Sequence, residues 1–175
     1  MAFADPKSNI DHLMIGEDMK VGDFGSGSGL YTLLSAQIAT LGKVYAFDVQ
    51  KELLKKIKAE GAKKHLHNIE TVWADIEEPR GTRMIDGALD RGIVSNILFQ
   101  VEDKNGFVKE VARLIRPKGR VMVIDWSDSF GGLGPVASEV LPASSARTLF
   151  ERAGFKLMKE LSAGDHHYGL IFEKQ

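Results

Sequence analysis

A chain of 175 residues with 43% hydrophobic and 27% charged side chains has the make-up of one globular domain with a sizeable core. A formal net charge of −1 gives no bulk electrostatic pull toward nucleic acid or an anionic membrane, and the lack of cysteine excludes disulfides, thiolate metal sites and cysteine nucleophiles together. With no basic-then-apolar leader and no apolar run of spanning length, the expectation is a cytoplasmic protein without a membrane span.

Residues 2 to 14 form a short lead-in, within the first 18 residues. Pro6-Lys7-Ser8 can start a helix with Ile10, Leu13 and Met14 on one face. The stretch from Met19 to Leu30 then reads as a strand, a glycine-rich turn and a helix start. Gly25, Gly27 and Gly29 allow positive φ and a close approach of backbone to ligand. The helix start behind them offers unpaired N–H groups to a phosphate or a carboxylate. The bland alternative is an ordinary strand-to-helix turn that happens to be rich in glycine.

Leu30, Leu33, Leu34, Ile38 and Leu41 recur at helical spacing, so a helix is expected from about Gly29 to Leu41, ended by Gly42. A second strand, Lys43 to Asp48, ends in an acid. Asp48 follows the turn by roughly the 20 residues expected of a carboxylate that accepts from ribose hydroxyls. The next helix carries Leu53, Leu54 and Ile57 among lysines, with an interruption at Gly61. Its glutamates make the lysine run a solvated face rather than a nucleic-acid patch. A third strand is Ile69 to Trp73, and Pro79 to Gly87 has only a weak helical pattern.

The fourth strand, Leu89 to Ser95, is unusual for a central parallel strand because it contains Arg91-Gly92. Arg91 must reach solvent or a partner, and the Asp90 side chain points to the other face. A helix follows from about Asn105 to Arg116, stopped by Pro117-Lys118-Gly119, then a fifth strand from Arg120 to Asp125. The polar, glycine-rich loop from Trp126 to Pro135 lies after a strand's carboxyl end, where open α/β sheets bind ligands, and is the candidate acceptor-site loop, the alternative being a mobile connection. Ser144 or Ser145 can cap a last helix that runs to Ala153 and stops at Gly154. Strands Phe155–Leu161 and His167–Phe172, joined by a short turn, form an antiparallel hairpin. His166 and His167 point to opposite faces, which opposes joint metal binding, and no metal site is expected.

The order D-x-G-x-G-x-G from Asp23 to Gly29, with "SNILFQVED", "RLIRPKGRVMVIDW" and "LFERAGFKLMKEL" downstream, resembles the class I S-adenosylmethionine (SAM)-dependent methyltransferases. The closest likeness is to the broad group that includes the ubiquinone and menaquinone enzymes, and it covers nearly the whole chain from Met19. The resemblance implies a doubly wound, mostly parallel seven-stranded α/β sheet with helices on both faces and the C-terminal hairpin. It implies SAM as cofactor, leaving S-adenosylhomocysteine (SAH) as product. Gly25, Ser26, Gly27 and Gly29 would receive the methionyl part, and Asp23 or carbonyls near Ser95 and Asn96 its amino group. Asp48 would hold the ribose, and the adjoining Val49 would also contact the cofactor. Asp75 would accept from the adenine amino group while Ile76 packs on the ring.

No catalytic base is identifiable from the sequence; Asn96 and Gln100 lie near the expected site, but amides orient rather than deprotonate. A small-molecule or lipid-like acceptor is expected, with a pocket open to solvent or completed by another copy of the chain. Nucleic acid is a disfavoured partner. The alternatives are an RNA or protein methyltransferase and a non-catalytic SAM-binding scaffold. A nicotinamide oxidoreductase is disfavoured because Leu30 occupies the place of the third fingerprint glycine.

Overall fold

A computed structural model describes residues 5–130, 132 and 134–175. The elements run α1 (Pro6–Asp11), β1 (Lys20–Phe24), α2 (Leu30–Ile38), β2 (Lys43–Asp48), α3 (Lys51–Lys63), β3 (Ile69–Trp73), β4 (Leu89–Ser95), α4 (Lys104–Leu114), β5 (Ile115–Trp126), α5 (Ala143–Arg152), β6 (Phe155–Ser162) and β7 (His167–Lys174). The seven strands make one sheet in the order β3-β2-β1-β4-β5-β7-β6. The first five are parallel, and β7 runs antiparallel between β5 and β6. The chain reverses its direction of travel across the sheet between β1 and β4. Ligands of such sheets bind beyond the carboxyl ends of the strands at that switch point.

Period-2 alternation divides the core between the two faces. Phe24, Phe47, Val121 and Val123 pack with Phe107, Val111 and Phe150 of α4 and α5. Val21, Val44, Met122 and Ile124 pack with Ile10, Leu13, Tyr31 and Ala36 on the α1–α2 side. Ala46 meets Leu54 and Ile57 of α3.

The awkward pair in β4 has two separate explanations. Arg91 is buried, yet its Nε donates to the Leu13 carbonyl at 2.8 Å and its Nη2 to that of Met14 at 3.2 Å. Nη1 donates to the backbone carbonyl of Asp90 at 2.9 Å. The guanidinium thus ties the end of the lead-in to the sheet. The Asp90 side chain, on the other face, instead accepts from Lys20 N–H and pairs with Arg116. Gly92 leaves room for the Phe24 ring, which a Cβ would meet at 3.1 Å.

Several expected boundaries move. The helix expected to end at Leu41 stops at Ile38, and Leu41 is exposed. Met14 is likewise exposed, while Ile10 and Leu13 are buried as expected. Gly61 does not interrupt α3: it lies inside the helix where a Cβ would meet Ile69 Cδ1 at 3.0 Å, so its small size serves helix–sheet packing. Residues 79–87 form turns rather than a helix. A polar network with α4 holds them: Thr82 Oγ1 donates to Glu110 at 2.6 Å, and Arg113 binds Glu110, Asp86 and the Met84 carbonyl. Pro117-Lys118-Gly119 does not separate helix from strand. β5 starts at Ile115, and the register with β4 jumps from Leu89↔Ile115 to Arg91↔Arg120, so these residues form a bulge. Neither Ser144 nor Ser145 caps α5; both lie within it, and Pro142 occupies the N-cap.

Candidate active site

A cavity of about 750 Å³ lies along the carboxyl ends of β1, β2, β3, β4 and β5. All the residues expected from the sequence to bind cofactor line it except Gly29: Asp23, Gly25, Ser26, Gly27, Asp48, Val49, Asp75, Ile76, Ser95 and Asn96. Its volume falls within the range of small-molecule sites.

The three glycines of the β1–α2 turn all have positive φ, but for different ends. A Cβ on Gly25 would strike Ile97 Cδ1 at 2.6 Å, and one on Gly29 would strike Ile57 Cγ1 at 2.4 Å. These two are small so that the protein can pack on itself. Gly27 alone faces open space, its Cβ position meeting nothing closer than 4.0 Å. The turn's N–H groups are also less available than the sequence suggests. Gly25 and Ser26 both donate to the Phe47 carbonyl, at 2.9 and 3.0 Å, and Gly29 donates to Ser26 O at 2.8 Å. Gly27 N–H donates to Asp48 Oδ2 at 2.9 Å. The buried hydroxyl of Ser26 has no hydrogen-bond partner among the described residues.

Asp48 is 7% exposed and accepts two backbone bonds, the second from Gln50 N–H to Oδ1 at 2.8 Å. Each carboxylate oxygen therefore keeps a lone pair for a further donor, in a fixed orientation. Asp23 is buried at the end of β1 and accepts from Thr32 Oγ1 at 2.6 Å. Burial pushes its carboxyl up to about 6, against the pull of the Thr32 hydrogen bonds; the charge of Asp48 pushes the same way. Asp75 is exposed at the rim, its Oδ1 accepting from Glu77 N–H at 2.9 Å, and Ile76 is buried beside it. Asn96 takes positive φ without being glycine and anchors its N–H to the Ile124 carbonyl at 2.8 Å. The following turn is held by Asp125, whose Oδ2 accepts from Leu98 N–H at 2.8 Å and whose Oδ1 accepts from Trp126 N–H at 2.8 Å. Burial pushes the Asp125 carboxyl up to about 6 despite these bonds.

The cavity is also lined by residues to which the sequence assigns no part in binding: Tyr31, Ile97, Val101, Phe107, Ile124 and His167. Tyr31 and Phe107 look like core positions at helical spacing. His167 carries a topological signal, since an antiparallel β7 sets its first residue opposite the last residue of β5. Its ring packs on Trp126 with centroids 4.3 Å apart. His166 turns the other way, stacking on Phe130 and bonding Asp128 at 2.9 Å. Of the expected acceptor loop, Trp126 and Gly134 line the cavity, while Gly131 and Leu133 lie outside the described residues. Among the described residues no group of acids and histidines could hold a metal ion, and no helix is long and apolar enough to cross a membrane.

A nucleoside joined to an amino acid fits this donor set. Asp48 offers free lone pairs to a pair of hydroxyls, Ile76 and Val49 offer apolar surface, and Ser26 and Gly27 leave polar and open space at the turn.

The chain is 28% identical over 123 residues to the ubiquinone/menaquinone biosynthesis C-methyltransferase UbiE of Idiomarina loihiensis, covering 67% of this chain and 47% of that protein. It thus spans about half the length of that curated relative. Among solved structures, a SAM-dependent methyltransferase from Aquifex aeolicus superposes with a TM-score of 0.88 at 24% identity, over 99% of this chain and 91% of that one. The cyclase SpnF superposes with a TM-score of 0.83 at 13% identity, over 97% and 79%. These likenesses show the fold. Residues 22–123, more than half of the chain and the part that runs from within β1 through most of β5, match the methyltransferase domain family (Methyltransf_11), and the chain belongs to that family.

Proposed function

We propose that this chain is a SAM-dependent methyltransferase, one domain that binds SAM across β1 to β4 and a small-molecule or lipid-like acceptor at the β5 end. The observation that carries the reading is the continuity of the cavity. It takes in the glycine turn, Asp48 and Ile76 together with an apolar chamber walled by Ile97, Val101, Phe107, Ile124 and Trp126. When bound, SAM supplies a methyl group already activated on a sulfonium. Asp48 then accepts from the ribose hydroxyls, Asp75 from the adenine amino group, and Val49 and Ile76 sandwich the ring. Gly25, Ser26, Gly27 and Gly29 shape the methionyl pocket. Asp23 and the carbonyls at Ser95 and Asn96 take the amino group. The residues of the apolar chamber hold the acceptor in line and keep water out. Orientation of this kind is worth roughly 7–11 kcal/mol to a bimolecular step. A cytoplasmic site of action is part of the reading.

The fold alone does not choose the chemistry, because a cyclase shares it. Titration calorimetry with SAM and SAH tests the cofactor, and SAH release on a panel of phenolic, quinol and alcohol acceptors tests the transfer. Micromolar SAH binding with turnover on any member is expected. Binding with no turnover on small molecules, RNA or protein would favour a non-catalytic SAM-binding protein. No binding would overturn the reading.

A further inference from the structure

Asp125 is the most deeply buried carboxylate among the described residues, 1% exposed, and it is not one of the residues that line the cavity. It makes no ion pair among the described residues. Its oxygens go to two backbone donors from different segments. Oδ2 accepts from Leu98 N–H and Oδ1 from Trp126 N–H, each at 2.8 Å. A carboxylate only accepts, so it can serve both donors; an amide in its place would turn an NH2 group toward one of them. Both segments wall the cavity. Trp126 lines it directly, and Leu98 sits in the turn that carries Asn96, Ile97 and Gln100, which line it as well. That turn begins with Asn96 N–H donating to the Ile124 carbonyl at 2.8 Å and closes with Gln100 N–H on the Ile97 carbonyl at 3.1 Å. Ile97 in turn packs on the glycine turn after β1, its Cδ1 lying 2.6 Å from where a Cβ on Gly25 would stand. A continuous path of bonds and contacts therefore joins Asp125, through Leu98 and Ile97, to Gly25.

Resting on the methyltransferase reading above, we propose that Asp125 is a positioning residue for the cofactor: by holding Leu98 and Trp126 it seats Ile97 on Gly25, and so fixes the glycine turn and the Ser95 and Asn96 carbonyls without touching the ligand. Groups that meet a ligand hold their geometry only as well as the layer behind them does. Burial pushes the Asp125 carboxyl up to about 6, so near neutral pH it is a buried carboxylate. A charge kept in that place costs desolvation that an apolar side chain would avoid. What it supplies is two charge-assisted bonds of fixed direction, one on each wall.

The test is the isosteric Asp125→Asn in the full chain, titrated with SAH by calorimetry near neutral pH after circular dichroism and urea denaturation have established that it folds. Phe172→Leu controls for lost stability alone: Phe172 is buried against Phe150 and stands opposite Val121, at the other end of β5 from Trp126. Folded Asp125→Asn should bind SAH roughly fivefold or more weaker than wild type, as expected for one charge-assisted bond lost behind the site. Its Gly25 and Ser26 amide NMR signals should be displaced before ligand is added, and Phe172→Leu should keep wild-type affinity. A smaller loss in folded Asp125→Asn, unmoved Gly25 and Ser26 signals, or an equal loss in Phe172→Leu would overturn the proposal. If Asp125→Asn does not fold, Ile97→Val decides. It removes the Cδ1 that packs on Gly25, and it should displace the same two signals and weaken SAH; either one unchanged would overturn the proposal. Failure of the wild-type protein to bind SAH would instead remove the methyltransferase reading.

Discussion

Replacing Asp48 by alanine tests the site most directly, because this carboxylate does two things. It fastens the glycine turn by accepting from Gly27 N–H at 2.9 Å and from Gln50 N–H at 2.8 Å. Under the proposed function it also offers its remaining lone pairs to the ribose hydroxyls of SAM. Hydrogen bonds to a charged group contribute about 1.5–3 kcal/mol each. Losing the two backbone bonds should therefore cost about 3 kcal/mol of folding stability, discounted where water replaces the lost acceptor. Losing two bonds to ribose should weaken SAH by a further ~2–4 kcal/mol, or roughly 30- to 1,000-fold in Kd. Urea denaturation measures the first effect and calorimetry the second. A nucleoside analogue without ribose hydroxyls separates them: it should bind Asp48→Ala almost as well as wild type. If SAH kept wild-type affinity for a folded Asp48→Ala protein, the ribose assignment would be wrong. If the analogue lost as much as SAH, the carboxylate would act only through the turn.

Three further outcomes follow from the packing and the buried acids. Gly29→Ala places a Cβ 2.4 Å from Ile57 Cγ1 at φ +82°, so a loss of about 2–4 kcal/mol in denaturant unfolding is expected; a loss under 0.5 kcal/mol would contradict the packing role. Arg91→Met removes the donors to the Leu13 and Met14 carbonyls and should destabilise by about 2–3 kcal/mol, with amide exchange in α1 accelerating before the rest of the chain. Equal exchange in α1 would show that the lead-in is held otherwise. Asp23 and Asp125, each pushed from 3.8 up to about 6 on folding, bind more protons folded than unfolded. Their contribution to stability is greatest below pH 4, falls as pH rises toward 6 and is flat above it, by an amount of order 3 kcal/mol each. Asp23→Asn should remove roughly half of that decline, read from denaturation curves between pH 4 and 6, and an unchanged slope would refute the shift.

Local pattern sufficed for what depends on neighbours in the chain. Alternation and turn residues placed β3 and β4 at their observed limits, and the distance from the glycine turn to Asp48 placed both at adjacent strand ends. Once strands alternate with helices, strand-end residues converge at the switch point, so ten of the residues expected to bind cofactor line one cavity. Where the meaning of a residue lies in a distant partner, tertiary structure alone decided it. Nothing near Arg91 announces the carbonyls of Leu13 and Met14, nothing near Gly29 announces Ile57, and nothing in residues 79–87 announces Glu110. His167 joins the cavity because the last strand runs backward beside β5, a pairing 41 residues from Trp126 that no local periodicity encodes. Helix and strand follow from short-range sterics and burial pattern, whereas the work of a buried polar group or a missing Cβ is set by whichever part of the chain arrives against it.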